Sequence, residues 1–270
     1  MRHQLSLSLI QSGCCELDID QQWCALEEML CIAAGQGSEW AVFPELCNLP
    51  LDFSLAVNLV QEEELVVCRL KNLAKRYNIW LTGSFGVRDR ASGKMRNRLY
   101  CLDPQGELRA RYDKIHQIRR VNEQQYFVAG EHLVICQTPW GRVGFAICYD
   151  IHFPNMFREY ALNGTRLIIV PSAIRQHRVD NWQRICQVRA LENQQYMVMM
   201  SSCGQSEHGG DFSSLAGRSS IMTPRGERLV EAATSSEIVT QTIDLSLVEK
   251  ARDEYPVLAA TAGPLATRFF

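Results

Sequence analysis

The spacing of apolar residues changes character repeatedly along the chain. Residues 4–11, QLSLSLIQ, alternate with period two and predict a strand. Trp23, Leu26, Leu30 and Ala33 then recur at helical spacing, with Gly35 as a stop signal. WAVFPE, residues 40–45, is a short apolar run and predicts a strand buried on both faces. Val66, Leu70, Leu73 and Tyr77 mark a second helix. IWLTGSFGV and RNRLYCLD read as strands, and Pro104-Gln105-Gly106 turns the chain into ELRARYDK. HLVICQTPWGRVGFAICYD predicts a strand pair around Trp140-Gly141.

The alternation continues downstream. Met156, Phe157, Tyr160 and Ala161 mark a helix after Pro154 that ends at Asn163-Gly164. RLIIVPSA is a strand, and a helix over 181–193 sets Trp182, Ile185, Cys186 and Arg189 on one face. YMVMMSSCG and RSSIMTPRGERLV are late strands, and the stretch from Ala259 onward has no periodicity. No repeat or linker interrupts this pattern. It predicts one α/β domain over 1–270, with 256–270 as a tail able to pack on a partner subunit. Hairpins such as 80–103 exclude a purely parallel sheet and favour sheets packed on each other with helices outside.

Composition adds exclusions. The chain has 270 residues, 46% hydrophobic and 21% charged, with a net charge of −2, which gives no field for nucleic acid or an anionic membrane. No apolar run approaches the roughly 20 residues of a membrane span. The N-terminus reads as a first strand without a signal-peptide core. Eleven cysteines without a C-x-x-C pair argue for reduced thiols in a cytoplasm, and six scattered histidines form no metal cluster. No metal or organic cofactor is expected.

Three reactive groups close apolar strands or the loops after them: Glu45, Lys114 and Cys148. Their chemistry is complementary. A thiol near neutral pH is mostly protonated and needs a base, which Glu45 can be, and Lys114 and the Tyr149 N–H can hold an oxyanion. Read singly, each has a plainer account: Glu45 as a loop-capping carboxylate, Lys114 as a solvated lysine beside Asp113, Cys148 as a core thiol. Spacing alone does not bring them together. His152 lies four after Cys148, but Pro154 turns the segment away from the helix that a Cys–His dyad would need. Asp150 is expected to hold the turn rather than react. Arg189 and Glu192, three apart, are expected to form a structural ion pair. In the loop 174–182, Arg175, His177 and Arg178 are candidates for gripping a substrate carboxylate, with a solvated basic loop as the alternative.

Taken in order, FPEL (43–46), YDKIH (112–116) and GRVGFAICYDIHFP (141–154) resemble the glutamate, lysine and cysteine motifs of the nitrilase superfamily of carbon–nitrogen hydrolases. RLIIVPSA, NWQRICQVRALENQQYMV and IMTPRGERL resemble its downstream blocks, so the likeness runs from about residue 5 to residue 245. The resemblance implies a four-layer αββα sandwich with a Glu45–Lys114–Cys148 triad, the Tyr149 amide as oxyanion donor and a thioester intermediate. It also implies a second glutamate, Glu123, seven before Gly130, positioning substrate and tuning Lys114. Gln117 after His116, and His152 where the family often has arginine, depart from the pattern and bear on the substrate. Tyr149 and Asp150 after the nucleophile favour amides over nitriles, and the basic loop favours a small carboxylate-bearing substrate such as an ω-amide. An N-carbamoyl substrate, a nitrile, and a non-catalytic scaffold on the same fold are the alternatives. The resemblance further implies a homodimer or higher homo-oligomer, with 154–193 in the interface.

Overall fold

The computed structural model describes residues 2–16, 18–207 and 210–260. The elements run β1 (Gln4–Gln11), α1 (Ile19–Gly35), β2 (Trp40–Val42), α2 (Phe53–Leu59), α3 (Glu63–Tyr77), β3 (Trp80–Arg88), β4 (Met95–Leu102), β5 (Leu108–Asp113) and α4 (Glu123–Tyr126). They continue as β6 (Ile135–Thr138), β7 (Gly141–Phe145), α5 (Pro154–Leu162), β8 (Thr165–Ser172), α6 (Val179–Asn193), β9 (Tyr196–Ser201), β10 (Cys203–Gln205) and β11 (Ser214–Ala216). The last are β12 (Ser220–Met222), β13 (Arg228–Glu231), β14 (Glu237–Asp244) and α7 (Ser246–Glu254).

Two six-stranded sheets carry the fold, in the orders β14-β1-β2-β3-β4-β5 and β13-β12-β9-β8-β7-β6. Parallel pairs sit at the centre of each sheet, β1–β2–β3 and β7–β8–β9, and antiparallel pairs flank them. One apolar cluster joins the inner faces. Leu5, Leu7, Leu9 and Val42 of the first sheet share it with Val143, Phe145, Val198 and Met200 of the second. Trp40, Trp80 and Trp140 meet there with ring centroids 5.2–6.0 Å apart. Trp40 and Trp140 also donate their buried indole N–H groups, to Thr82 Oγ1 and to the Gln4 carbonyl. Helices α1 and α3 cover the outer face of the first sheet through Leu26, Leu30, Val66 and Leu70. Phe157, Tyr160, Cys186 and Ala190 of α5 and α6 cover the second, completing the αββα layering.

Several helix ends have a local cause. Asp18 caps α1 by accepting from the Gln21 N–H, and Asp52 caps α2 through Ser54. Pro154 opens α5, where a missing N–H costs nothing. Asn78 and Gln194 end α3 and α6 in the left-handed conformation. Pro171, inside β8, lies beyond the last β7 pairing at Ile169, so the ladder on that side loses no donor.

Several expectations shift. β2 ends at Val42, and 43–46 continue as a loop beside β3, where the Phe43 N–H donates to the Thr82 carbonyl. α6 begins at Val179 rather than 181, so Arg178 becomes its cap and only 173–178 is loop. α2, α7 and β14 form where the periodicity signalled nothing. β14 is drawn into order by an eight-residue antiparallel register with β1. The apolar tail is described only to Ala260, and Phe269 and Phe270 lie outside the described residues.

Candidate active site

The site gathers where central strands end, as expected for scaffolded chemistry. Glu45 follows β2, Lys114 follows β5 and Cys148 follows β7. Cys148 opens a 3-10 turn, Cys148–His152, three residues past the end of β7, and its φ of 45° lies in the left-handed region. The turn is held by Asp150, which is fully buried and accepts four hydrogen bonds. Its donors are the Ile147 N–H at 2.9 Å, Tyr112 Oη at 2.7 Å, the His116 N–H at 2.9 Å and His116 Nδ1 at 2.8 Å. The expectation that Asp150 holds the turn therefore has a concrete form. From behind, Arg189 donates to the Ile151 carbonyl at 3.1 Å and pairs with Glu192 at 2.8 Å, the ion pair expected from spacing.

Lys114 Nζ lies 2.9 Å from Glu45 Oε1 and 2.8 Å from Glu123 Oε1, with all three side chains at most 5% exposed. Asp113 is not its partner; Asp113 pairs with Arg96 and Arg98 instead. Glu45 also accepts from Asn97 Nδ2 at 2.8 Å and from the Ala173 N–H at 3.0 Å. Glu123 is anchored by the Ile118 N–H at 2.7 Å. The Cys148 thiol lies close enough to Glu45, Lys114 and the Ala173 N–H for all three to act on its ionisation. Three groups that sequence spacing left apart are thus in one cluster.

Electrostatics follow from burial. Desolvation pushes the Cys148 thiol well above the usual range and Glu45 adds to it, against the pull of Lys114, so the resting thiol is neutral. Burial also raises Glu123, with Glu45 adding to the rise and Lys114 opposing it. For Lys114, burial disfavours the ammonium, but Glu123, Glu45 and Cys148 outweigh it and its pKa rises. A fixed cation, a carboxylate beside a neutral thiol and backbone N–H groups can together run proton transfer and oxyanion stabilisation.

Above Cys148 opens a cavity of about 650 Å³. Its walls include Tyr149, His152, Arg175 and Arg178, and also Trp182 and Phe212. Burial, Arg189 and Arg178 lower the pKa of His152. His177 is exposed and is not among the lining residues. Two groups were missed from sequence. Asn97 bonds Glu45 through its side chain and the Lys114 N–H through its carbonyl; an asparagine in a buried strand was the available signal. Arg120 enters the cavity from the loop after β5, and the doubled arginine of IRRVN was its trace.

Comparison with known proteins gives the class, a hydrolase acting on carbon–nitrogen bonds other than peptide bonds. The carbon–nitrogen hydrolase family model matches residues 6–253, and the chain belongs to that family. It is 30% identical over 236 residues to the omega-amidase NIT2 of Danio rerio, spanning 83% of each chain. It is 30% identical over 205 residues to the deaminated glutathione amidase of Dictyostelium discoideum, covering 71% of this chain and 69% of that one. In fold it matches XC1258 of Xanthomonas campestris, a CN-hydrolase superfamily protein with an arsenic adduct in its active site. That match has a TM-score of 0.89 at 23% identity and covers 98% and 100% of the two chains.

Proposed function

We propose that the protein is a thiol amidohydrolase for a small amide bearing a carboxylate, with Glu45, Lys114 and Cys148 as its triad. Glu45 takes the thiol proton as Cys148 sulfur attacks the amide carbon. The oxyanion is held by Lys114 Nζ and the Tyr149 N–H. Glu45 returns the proton to the departing nitrogen, ammonia leaves, and a thioester remains on Cys148. Water then gives its proton to Glu45 and its oxygen to the acyl carbon, releasing the acid and restoring the thiol. Glu123 keeps Lys114 charged and oriented. Arg175 and Arg178 hold the substrate carboxylate.

The observation that carries this reading is the buried contact of Lys114 with both Glu45 and Glu123, beside a neutral thiol. The amidase names of the two relatives support the choice of amide. The reading includes self-association through the outer face of α5 and α6, where Leu162, Val188 and Leu191 are exposed. It also includes a reducing compartment such as the cytoplasm, supported by eleven free thiols. The test is ammonia release from ω-amides, simple aliphatic amides, N-carbamoyl amino acids and nitriles, with Cys148→Ala beside the wild type. Release from ω-amides that vanishes in the variant is expected. Turnover confined to nitriles or carbamoyl compounds would replace the substrate class. No turnover, with Cys148 inert to electrophiles, would favour a scaffold.

A further inference from the structure

The cavity above Cys148 is bordered by four arginines, Arg120, Arg175, Arg178 and Arg184, and among the described residues by no carboxylate. Elsewhere in the fold, arginines are mostly paired. Arg96 and Arg98 meet Asp113, Arg189 meets Glu192, and Arg218 meets Asp180 and Glu231. Among the described residues, Arg120, Arg175 and Arg178 have no ion-pair partner, and Arg184 bonds only the Asn181 amide oxygen, at 3.4 Å. Like charges around one mouth repel, and a concave wall concentrates their field. Such a cluster is stabilised by anions brought from outside.

The arrangement is too long for one carboxylate. Arg178 caps α6 and Arg184 lies six residues on, about 9 Å along the axis at about 1.5 Å per residue. Arg175 sits two residues from Ala173, whose N–H bonds Glu45, so it belongs to the end of the cavity nearest the thiol. Its guanidinium is fixed over the Phe212 ring, 5.2 Å from the centroid. Arg120 comes from a different element, the 3-10 turn Arg119–Val121 after β5. A single carboxylate accepts one guanidinium fork, or two that converge on it. Four arginines from three segments, the turn at 119–121, the loop before α6 and α6 itself, provide for more than one anion.

We propose that the substrate is an amide with two separated anionic groups. One carboxylate sits near the thiol at Arg175 and Arg178, and a second is recognised further out by Arg184 and Arg120. This rests on the amidase reading and deepens it. Arg120 and Arg184 are then specificity-determining residues, selecting among amides that the triad would cleave alike.

The test compares glutaramate, which has one carboxylate, with two probes that add a second. One is N-carboxymethyl-glutaramate, with the charge on the nitrogen side. The other is the monoamide of propane-1,2,3-tricarboxylic acid, with the charge on the acyl side. Release of ammonia or amine is followed at low and at 0.5 M salt. The expected result is a kcat/KM at least about ten-fold higher for one dianionic probe than for glutaramate, carried by KM and shrinking in salt. The same ratio falls at least about three-fold in Arg120→Gln and in Arg184→Gln. Which probe wins reports the side on which the second anion lies. Dianionic probes no better than glutaramate, or a ratio unmoved in both variants, would overturn the proposal and leave the amidase standing. Absence of Cys148-dependent turnover for glutaramate and both probes would instead remove the amidase reading beneath it.

Discussion

Tyr112 Oη donates to Asp150 Oδ2 at 2.7 Å, joining the strand that delivers Lys114 to the turn that delivers Cys148. His116, two residues beyond Lys114, adds its backbone N–H and its Nδ1 to the same carboxylate. Asp150 is therefore the tie between the two sheets at the site, and the separation of ammonium and thiol depends on it. Hydrogen bonds to a buried charge contribute about 1.5–3 kcal/mol each.

Asp150→Asn keeps the shape but turns one acceptor oxygen into a donor facing donors. A loss of about 2–3 kcal/mol in urea unfolding is expected. With it should come a fall of about ten-fold or more in kcat and a smaller change in KM, since the carboxylate touches the scaffold of the nucleophile and not the substrate. Equal changes in stability with kcat intact would show that the turn does not need this tie.

Lys114→Met leaves Glu45 and Glu123 buried together without their cation. Glu123 is already raised above its unfolded value by burial. A carboxyl so raised favours folding fully below its unfolded pKa, and that contribution drains as pH rises through its folded pKa. The variant should thus be least stable relative to wild type in alkali, by about 3–5 kcal/mol near pH 8, and recover toward pH 5. Urea titrations at the two pH values decide it; a deficit independent of pH contradicts the cluster's electrostatics.

Glu45→Gln separates base from thiol. Amide turnover should drop about 10²–10⁴-fold. The thiol itself should become easier to ionise, because an anion that holds its pKa up has gone while Lys114 remains. Alkylation of Cys148, followed by peptide mass to set aside exposed Cys24, Cys31 and Cys68, should begin at lower pH than in wild type. A profile shifted upward would sink this account.

Gly130 packs against the segment that carries Lys114: its N–H donates to the Lys114 carbonyl at 2.8 Å. A Cβ there would stand 2.2 Å from the Asp113 carbonyl oxygen. Gly130→Ala should push that strand end aside, costing about 1–3 kcal/mol and most of the activity. Unchanged kcat would mean that the loop yields instead of Lys114.

The sequence made legible those parts of the molecule whose physics is local or ordered. The period-two run of β1 and the 3-4 spacing of Trp23, Leu26, Leu30 and Ala33 each depend on one face meeting a core, and both formed as read. β14 was invisible because only its pairing with β1 orders it; most of its residues are half-buried on both faces. Glu45, Lys114 and Cys148 could be named as strand-end groups, but their meeting depends on two sheets stacking, which no spacing encodes. Asn97 was hidden because its role lies in contacts with residues 52 and 17 positions away along the chain. His177 is exposed and outside the cavity lining, a difference from Arg175 and Arg178 that reading the loop as one basic patch could not show.

The left-handed backbone at Cys148 has a consequence for how this chain can change. An L-residue with a side chain gives up about 1 kcal/mol or more to stand there, and glycine would not. Selection for robustness alone would pull this position toward glycine, and only the demand for a thiol holds it. Descendants released from catalysis should therefore lose the nucleophile early, keep the sandwich, and gain backbone ease at the spot where the ancestor did its chemistry.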